Sequence, residues 1–102
     1  MIINWEKPAN EIYNLIRGSD PSPGAGTTLD GRSVQFYRTL RHDGDSGKKP
    51  GTVTEVSDKG FVVAAKGGTL LVQRVQPEGS RKVMATEWIE SVDLRPGTMF
   101  GS

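Results

Sequence analysis

The chain contains no cysteine and only one histidine among its 102 residues. Without cysteine it can form neither a disulfide framework nor a thiolate zinc site, which is typical of a protein in the reducing cytosol. No run of apolar residues approaches the length that spans a bilayer, and the first residues lack the pattern of a secretory signal peptide. The sequence therefore predicts a soluble, cytoplasmic protein with no membrane partner.

Residues suited to catalysis are equally scarce. The single histidine, His42, lies beside Asp43 and near Asp45 in a polar stretch, residues 41–50, that we expect to be an exposed, mobile loop. His-Asp-x-Asp could hold a metal, but no further histidine or cysteine completes a transition-metal site, so a solvated loop histidine is the favoured interpretation. A single histidine in a loop also makes no credible Ser–His–Asp triad. Residues 43–47 also lack the twelve-residue spacing and terminal glutamate of a calcium loop. The sequence thus predicts no active site, no metal and no cofactor.

Glycine and proline are abundant instead, with 13 and 6 residues, while hydrophobic residues make up 34% of the chain. This composition favours short elements joined by turns in one small domain, residues 1–102. Residues 8–17 have apolar side chains at spacings of three and four and are followed by Gly18, so we predict a helix there. Residues 18–31 would then form a Pro/Gly connection to a β-barrel at 32–102.

Beyond the connection the apolar period changes from about 3.6 to about 2, which predicts strands. Apolar runs at 60–65 and 69–75 are joined by Lys66-Gly67-Gly68, a strong indication of a hairpin. Thr86 is predicted to cap a short helix through Ile89. Further strands are predicted around residues 34–40, 51–56, 83–85 and 94–100.

The apolar positions of these elements define an expected hydrophobic core. Most belong to the helical stripe, to one face of a strand or to the C-terminal helix, and Trp5, just upstream of the first helix, is placed to fold back onto Ile12. The predicted core residues are Trp5, Ile12, Ile16, Val34, Phe36, Val53, Val62, Leu70, Val72, Val75, Met84, Trp88, Ile89 and Leu94.

Charge is unevenly distributed although the net charge is only +1. Residues 32–82 hold ten basic against five acidic residues, whereas both flanking segments carry an excess of acid. A basic middle segment forms a cationic face for a polyanion if its strand ends and loops gather on one side; the alternative is an ordinary solvated surface. Tyr37, expected to point away from Phe36, is the predicted base-stacking residue. The predicted phosphate contacts are Arg38, Arg41, Lys48, Lys49, Arg74, Arg81 and Lys82.

The stretch IRGSDPSPGAG, residues 16–26, is not a phosphate loop, because it lacks the P-loop lysine and follows a helix. With its upstream neighbours it resembles the segment that opens the C-terminal domain of formyltransferases. The resemblance covers essentially the whole chain. Its motifs are Ile3-Asn4-Trp5, Ala9, Ile12, Ile16-Arg17, Pro21-Ser22-Pro23-Gly24-Ala25, Pro50-Gly51-Thr52-Val53, Val75-Gln76-Pro77-Glu78-Gly79, Arg81-Lys82-Val83-Met84-Ala85 and Pro96-Gly97-Thr98-Met99-Phe100-Gly101.

Two branches of that family share features with the chain. Asn14 before Ile16-Arg17-Gly18 is most similar to the 10-formyltetrahydrofolate hydrolase/dehydrogenase branch. The stretch from Gln76 to Met84 is more similar to methionyl-tRNA formyltransferase. The resemblance implies a mainly β fold, a small OB-like Greek-key open barrel with an N-terminal helix and a short C-terminal helix.

The resemblance also implies that tRNA binding and formyl transfer belong to different domains. In methionyl-tRNA formyltransferase this domain helps to hold tRNA through a basic surface. Formyl transfer in the family belongs to an N-terminal Rossmann-like domain with an Asn–His–Asp constellation and a 10-formyltetrahydrofolate site, so we expect no enzyme activity from this chain alone. Because the Pro-rich stretch lies near the approach to the catalytic domain, the implied domain-interface positions are Asn14, Arg17, Pro23 and Gly24.

Three interpretations of the role follow. The chain is a binding module for tRNA or another nucleic acid, an accessory domain that docks on a formyltransferase catalytic domain of another chain, or a fragment of a longer enzyme. Binding of tRNA at low salt and co-purification with a catalytic chain separate the first two. The sequence fixes neither the ligand nor the oligomeric state.

Overall fold

A six-stranded antiparallel sheet and two helices form the fold in the computed structural model, which describes residues 2–101. The strands lie in the order β1-β2-β5-β4-β3, and β6 pairs with β5 beyond the end of β4. Because β5 returns beside β2, strands β2 to β5 have a Greek-key order. This confirms the predicted mainly β fold and is consistent with a small open barrel. The elements are α1 (Ala9–Gly18), β1 (Ala25–Leu29), β2 (Arg32–Asp43), β3 (Val53–Ser57), β4 (Gly60–Ala65), β5 (Gly68–Pro77), β6 (Val83–Met84) and α2 (Ala85–Val92).

Strands β2 and β5 turn a corner of the barrel at Arg38. The register of the ladder is the same on both sides of this residue, but Arg38 has a φ of 40°. On β5, Val75 pairs with Phe36 on one side of the corner and Val72 pairs with Thr39 on the other side. Both valines are fully buried in one core cluster, although their spacing would put them on opposite faces of a flat strand. The inner face of the sheet therefore changes sides at the corner.

Five aromatic rings fill the barrel interior, and Phe100 lies at their centre. Its ring centroid is 5.2 Å from that of Phe36, 5.6 Å from Phe61, 6.2 Å from Trp88 and 6.3 Å from Trp5. Centroid separations of this size are those at which aromatic pairs attract one another. The core is thus assembled from both ends of the chain and from the strands between them.

The C-terminal residues also close the barrel through the backbone. The Val53 N–H donates to the Thr98 carbonyl at 2.7 Å, on the outer edge of β3. The Gly101 N–H donates to the Thr28 carbonyl at 2.8 Å, on the outer edge of β1. Residues 97–101 therefore connect the two edge strands, although the predicted strand at 94–100 is reduced to a single bridge between Thr52 and Met99.

Helix α1 packs its apolar stripe onto the sheet. Ala9, Ile12 and Ile16 are buried, as the spacing predicted. The helix can approach closely because Gly68 on β5 has no side chain: a Cβ there would lie 2.6 Å from the His42 carbonyl oxygen and 3.1 Å from Ala9 Cβ. Within residues 2–101 neither helix is long and apolar enough to cross a membrane.

Several element boundaries differ from the predicted ones. Strand β1 lies inside the segment 18–31, which we expected to be only a connection. The strand was not predicted because its sequence, AGTTL, has little apolar alternation. Strand β2 runs through Asp43, so His42 lies on an exposed strand rather than in a loop. The prediction that Thr86 caps α2 is wrong, since the helix begins at Ala85 and Met84 occupies the N-cap position.

The predicted core is confirmed except at two positions. Val62 is only half-buried and Met84 is 39% exposed. In the valine-rich strand β4 the inward positions are Phe61 and Val63, so the period was predicted correctly but its phase was wrong. A continuous apolar run gives no sign of which face points inward.

Replacing Ile16 with Ala should lower the free energy of unfolding by about 2–5 kcal/mol, because the side chain is fully buried. Asn10→Ala, at an exposed position of the same helix, is the control and should change stability by less than about 0.5 kcal/mol. Urea unfolding followed by tryptophan fluorescence measures both. A loss for Ile16→Ala no larger than that of the control would contradict the packing of α1 on the barrel.

Candidate nucleic-acid interface

The seven predicted phosphate contacts fall into two groups along β2. Arg38 follows Tyr37 in the chain, Arg74 is paired with Tyr37 across the β2–β5 ladder, and Lys82 lies over the Tyr37 ring. With Arg81, the neighbour of Lys82, these residues are called the Tyr37 cluster: Arg38, Arg74, Arg81 and Lys82. The second group is Arg41, near the C-terminal end of β2, with Lys48 and Lys49, which follow that end in the chain. The strand from Tyr37 to the end of β2 at Asp43 covers roughly 20 Å.

Tyr37 itself is not available to stack on a base. Its side chain is 2% exposed, because the segment that follows α1 covers the outer face of β2 at this position. Its hydroxyl donates to the Pro23 carbonyl at 2.8 Å and lies 3.1 Å from Gln76 Oε1. Burial, and secondly the charge of Asp20, raise the pKa of Tyr37 above its ordinary value of 10.0, so the hydroxyl keeps the proton that it donates. The predicted stacking role of Tyr37 is wrong.

The segment that covers Tyr37, residues 19–24, is called the strap. Its ends meet where the Gly24 N–H donates to the Ser19 carbonyl at 2.9 Å, and the peptide bonds before Pro21 and Pro23 are cis. Gly24 has a φ of 79°, and a Cβ there would lie 2.6 Å from Tyr37 Cζ. A side chain at position 24 would thus push the strap off the ring. The backbone of this segment, more than its side chains, forms the cover.

Lys82 binds the strap from the other side. Its ammonium lies 4.0 Å from the centroid of the Tyr37 ring and donates a hydrogen bond to the Pro21 carbonyl. A cation over an aromatic face at this distance is attracted by the ring electrons. Lys82 is half-buried, whereas Arg38, Arg74 and Arg81 are exposed. The arginines are therefore the members of the Tyr37 cluster with the freest access to phosphate.

The second cationic group carries less net charge. Arg41 forms an ion pair with Asp43, and Asp45 lies in the same short segment. Three basic side chains at 41–49 are thus opposed by two carboxylates, one of them in an ion pair, whereas no ion pair within residues 2–101 involves the four basic side chains of the Tyr37 cluster. The Tyr37 cluster is the better candidate for contact with a polyanion.

Gln76 is a member of this site that the sequence prediction missed. Its Oε1 lies beside the Tyr37 hydroxyl, and its Nε2 donates to the Ser80 carbonyl at 3.1 Å. It therefore joins Tyr37 to the turn that leads to Arg81 and Lys82. The available sign was its position at the start of the Gln-Pro-Glu-Gly stretch of the family resemblance.

Two shallow grooves flank that turn. One of about 320 Å³ lies next to the strap, and one of about 580 Å³ lies between the turn and α2. Both are lined by Ser33, Pro77, Glu78 and Ser80, and the larger one has Trp88 in its wall. No group of three or more His, Asp or Glu side chains within residues 2–101 is arranged to hold a metal ion.

The implied domain-interface positions lie on α1 and the strap. Asn14 and Arg17 are exposed on the helix, and the Arg17 guanidinium carbon lies 5.5 Å from the Tyr13 ring centroid. Pro23 is exposed, while Gly24 is buried under Tyr37. Gly24 can contribute to an interface only by shaping the strap.

Comparison with known proteins places the chain in a family. Residues 1–93 match the sequence model of the formyl transferase C-terminal domain. A methionyl-tRNA formyltransferase of Moorella thermoacetica is 40% identical over 100 residues, which are 98% of this chain and 32% of that protein. One of Clostridium novyi is 40% identical over 87 residues, which are 85% of this chain and 28% of that protein. The chain spans about a third of the length of the curated relatives that it matches.

A solved structure shares the fold. HypX from Aquifex aeolicus, in a crystal structure with tetrahydrofolic acid, matches with a TM-score of 0.70 and 20% identity. The match covers 85% of this chain and 16% of HypX. By its sequence match over residues 1–93, the chain belongs to the formyl transferase C-terminal domain family.

Proposed function

We propose that this domain is a non-catalytic binding module that holds tRNA, or another nucleic acid, through the Tyr37 cluster. The observation that carries the proposal is the 40% identity, over 98% of the chain, to a protein named for its action on methionyl-tRNA. The match covers 32% of that relative, and this chain matches the model of the formyl transferase C-terminal domain. The family resemblance implies that formyl transfer belongs to the part of such enzymes outside this domain.

The Tyr37 cluster suits contact with a sugar–phosphate backbone. Arg74 and Arg81 are exposed, and a guanidinium can donate two parallel hydrogen bonds to one phosphate. Met84, paired with Arg74 across β5 and β6, is 39% exposed and offers an apolar contact beside the cations. Because such contacts read charge rather than base identity, binding should be independent of sequence and sensitive to salt.

The single histidine lies apart from the proposed binding site. His42, the one histidine, is exposed on β2 opposite Thr69, away from the Tyr37 cluster. We therefore expect no formyl transfer from the isolated chain. A tRNA-binding role would operate in the cytoplasm, the compartment that the cysteine-free sequence predicts.

A gel-shift titration with bulk tRNA at two or more salt concentrations tests the proposal. The wild-type chain should bind at low salt and lose affinity as salt rises, because phosphate contacts release counterions. The double variant Arg74→Gln/Arg81→Gln should reduce the magnitude of the negative slope of log K against log salt by about 2, roughly 1 for each lost phosphate contact. Lys7→Gln, an exposed cation outside the predicted set, should leave the slope unchanged.

Two results would count against nucleic-acid binding through the Tyr37 cluster. Absence of any shift at low salt would exclude nucleic-acid binding by this chain. Equal slopes for the wild type and the double variant, with binding intact, would show that the polyanion contacts another surface, of which Arg41, Lys48 and Lys49 form the next candidate.

The alternative function is docking on a formyltransferase catalytic domain, on another chain or in a longer enzyme. The observation that favours it is an apolar groove of about 280 Å³ beside α1, lined in part by Ile12 and Leu15, with Ile2 78% exposed at its edge. Asn14 and Arg17 are exposed on the same helix. An exposed apolar side chain at a groove is typical of a contact surface.

Co-purification with the separately expressed N-terminal two thirds of a methionyl-tRNA formyltransferase tests docking. The wild-type chain should be retained and should raise the formyl-transfer rate of that partner. Asn14→Ala/Arg17→Ala should reduce both effects, whereas Glu90→Gln, exposed on α2, should not. Full retention of the helix double variant would place the contact elsewhere.

A further inference from the structure

Lys82 makes a set of contacts that distinguishes it from the other cations of the Tyr37 cluster. Its ammonium is held between the face of the Tyr37 ring and the Pro21 carbonyl of the strap. Arg81, the preceding residue, is exposed. Two neighbouring cations thus lie in different environments, one bound to the protein and one open to solvent.

The contacts of Lys82 belong to a continuous path across the outer face of the barrel. The strap meets the Tyr37 hydroxyl through the Pro23 carbonyl, and the same hydroxyl lies beside Gln76. Gln76 donates to the Ser80 carbonyl, two residues before Lys82. Lys82 then returns to the strap at Pro21 and closes the path. The strap and the turn are thus joined twice, once through Tyr37 and Gln76 and once through Lys82.

We propose that Lys82 is a positioning residue that locks the strap onto Tyr37, and that phosphate contact is left to Arg74 and Arg81. The ammonium supplies an attraction to the ring and a hydrogen bond to the strap that no other side chain of the cluster is seen to make. The strap continues directly from α1, which carries Asn14 and Arg17. If the proposed function holds, Lys82 therefore connects the surface that contacts nucleic acid, at Arg74 and Arg81, to the helix that carries the docking positions.

Amide hydrogen exchange followed by NMR tests the lock without any ligand. The Gly24 N–H, bonded to the Ser19 carbonyl, reports closure of the strap. Lys82→Met keeps the apolar stem but removes the ammonium, so Gly24 should exchange about tenfold faster or more. Arg81→Met removes the adjacent charge and should leave Gly24 unchanged. Lys82→Arg, which can also stack on Tyr37 and donate to Pro21, should restore slow exchange.

Amides of the β2–β5 ladder are the internal control, because they open only with the barrel. Faster exchange of Gly24 with an unchanged ladder is the expected result for Lys82→Met. Unchanged exchange of Gly24 would overturn the lock. An equal increase in the strap and in the ladder would also overturn it, since the loss would then be global rather than at the strap.

The functional consequence has its own experiment. Lys82→Met should weaken retention by the catalytic two thirds of a methionyl-tRNA formyltransferase about tenfold, whereas Arg81→Met should weaken tRNA binding and leave retention intact. Equal retention of the two variants would contradict the link to docking. If the wild-type chain is not retained at all, docking fails as a function, while the exchange data still decide the role of Lys82.

Discussion

The structure depends on the packing of Phe100 among four other aromatic rings. Phe100 contacts Trp5 from the N-terminal segment, Phe36 and Phe61 from the sheet, and Trp88 from α2. The same segment carries the backbone hydrogen bonds that join the outer edges of β1 and β3. One short stretch thus fills the core and closes the barrel around it. A small domain buries little apolar surface, so a central aromatic cluster supplies a large share of what it has.

The candidate site lies on the outside of this barrel and depends on the strap that covers Tyr37. Phe36 and Tyr37 are consecutive residues of β2 on opposite faces of the sheet, and both are buried: Phe36 inside the barrel and Tyr37 beneath the strap. Tyr37 in turn gathers Arg74 from the neighbouring strand and Lys82 from the following turn. The cationic cluster is therefore a consequence of strand pairing and of the Lys82 contact, and not of a charge run in the sequence.

Sequence patterns correctly predicted the elements that have a regular apolar period or are bounded by turn residues. The stripe of α1 and the hairpin at Lys66-Gly67 were predicted because helix spacing and glycine pairs are local signals. Val62 was misassigned because an unbroken apolar run does not show its inward face. Tyr37 was expected to be accessible because no local pattern shows that the segment after α1 covers it. The contacts of Phe100 join positions far apart in sequence, and the Lys82 contact spans 61 residues, so no local pattern contains them. The phosphate and interface residues remain predictions from charge and family resemblance.

The most direct test of this account is the stability of Phe100→Ala, measured by urea unfolding with tryptophan fluorescence. Removing the central ring should cost about 3–5 kcal/mol, and should shift the emission of Trp5 and Trp88, which pack on it. Val92→Ala, 42% exposed on α2, should cost less than about 1 kcal/mol. If Phe100→Ala unfolds at the same urea concentration as the wild type, the C-terminal segment does not close the barrel and the account is contradicted.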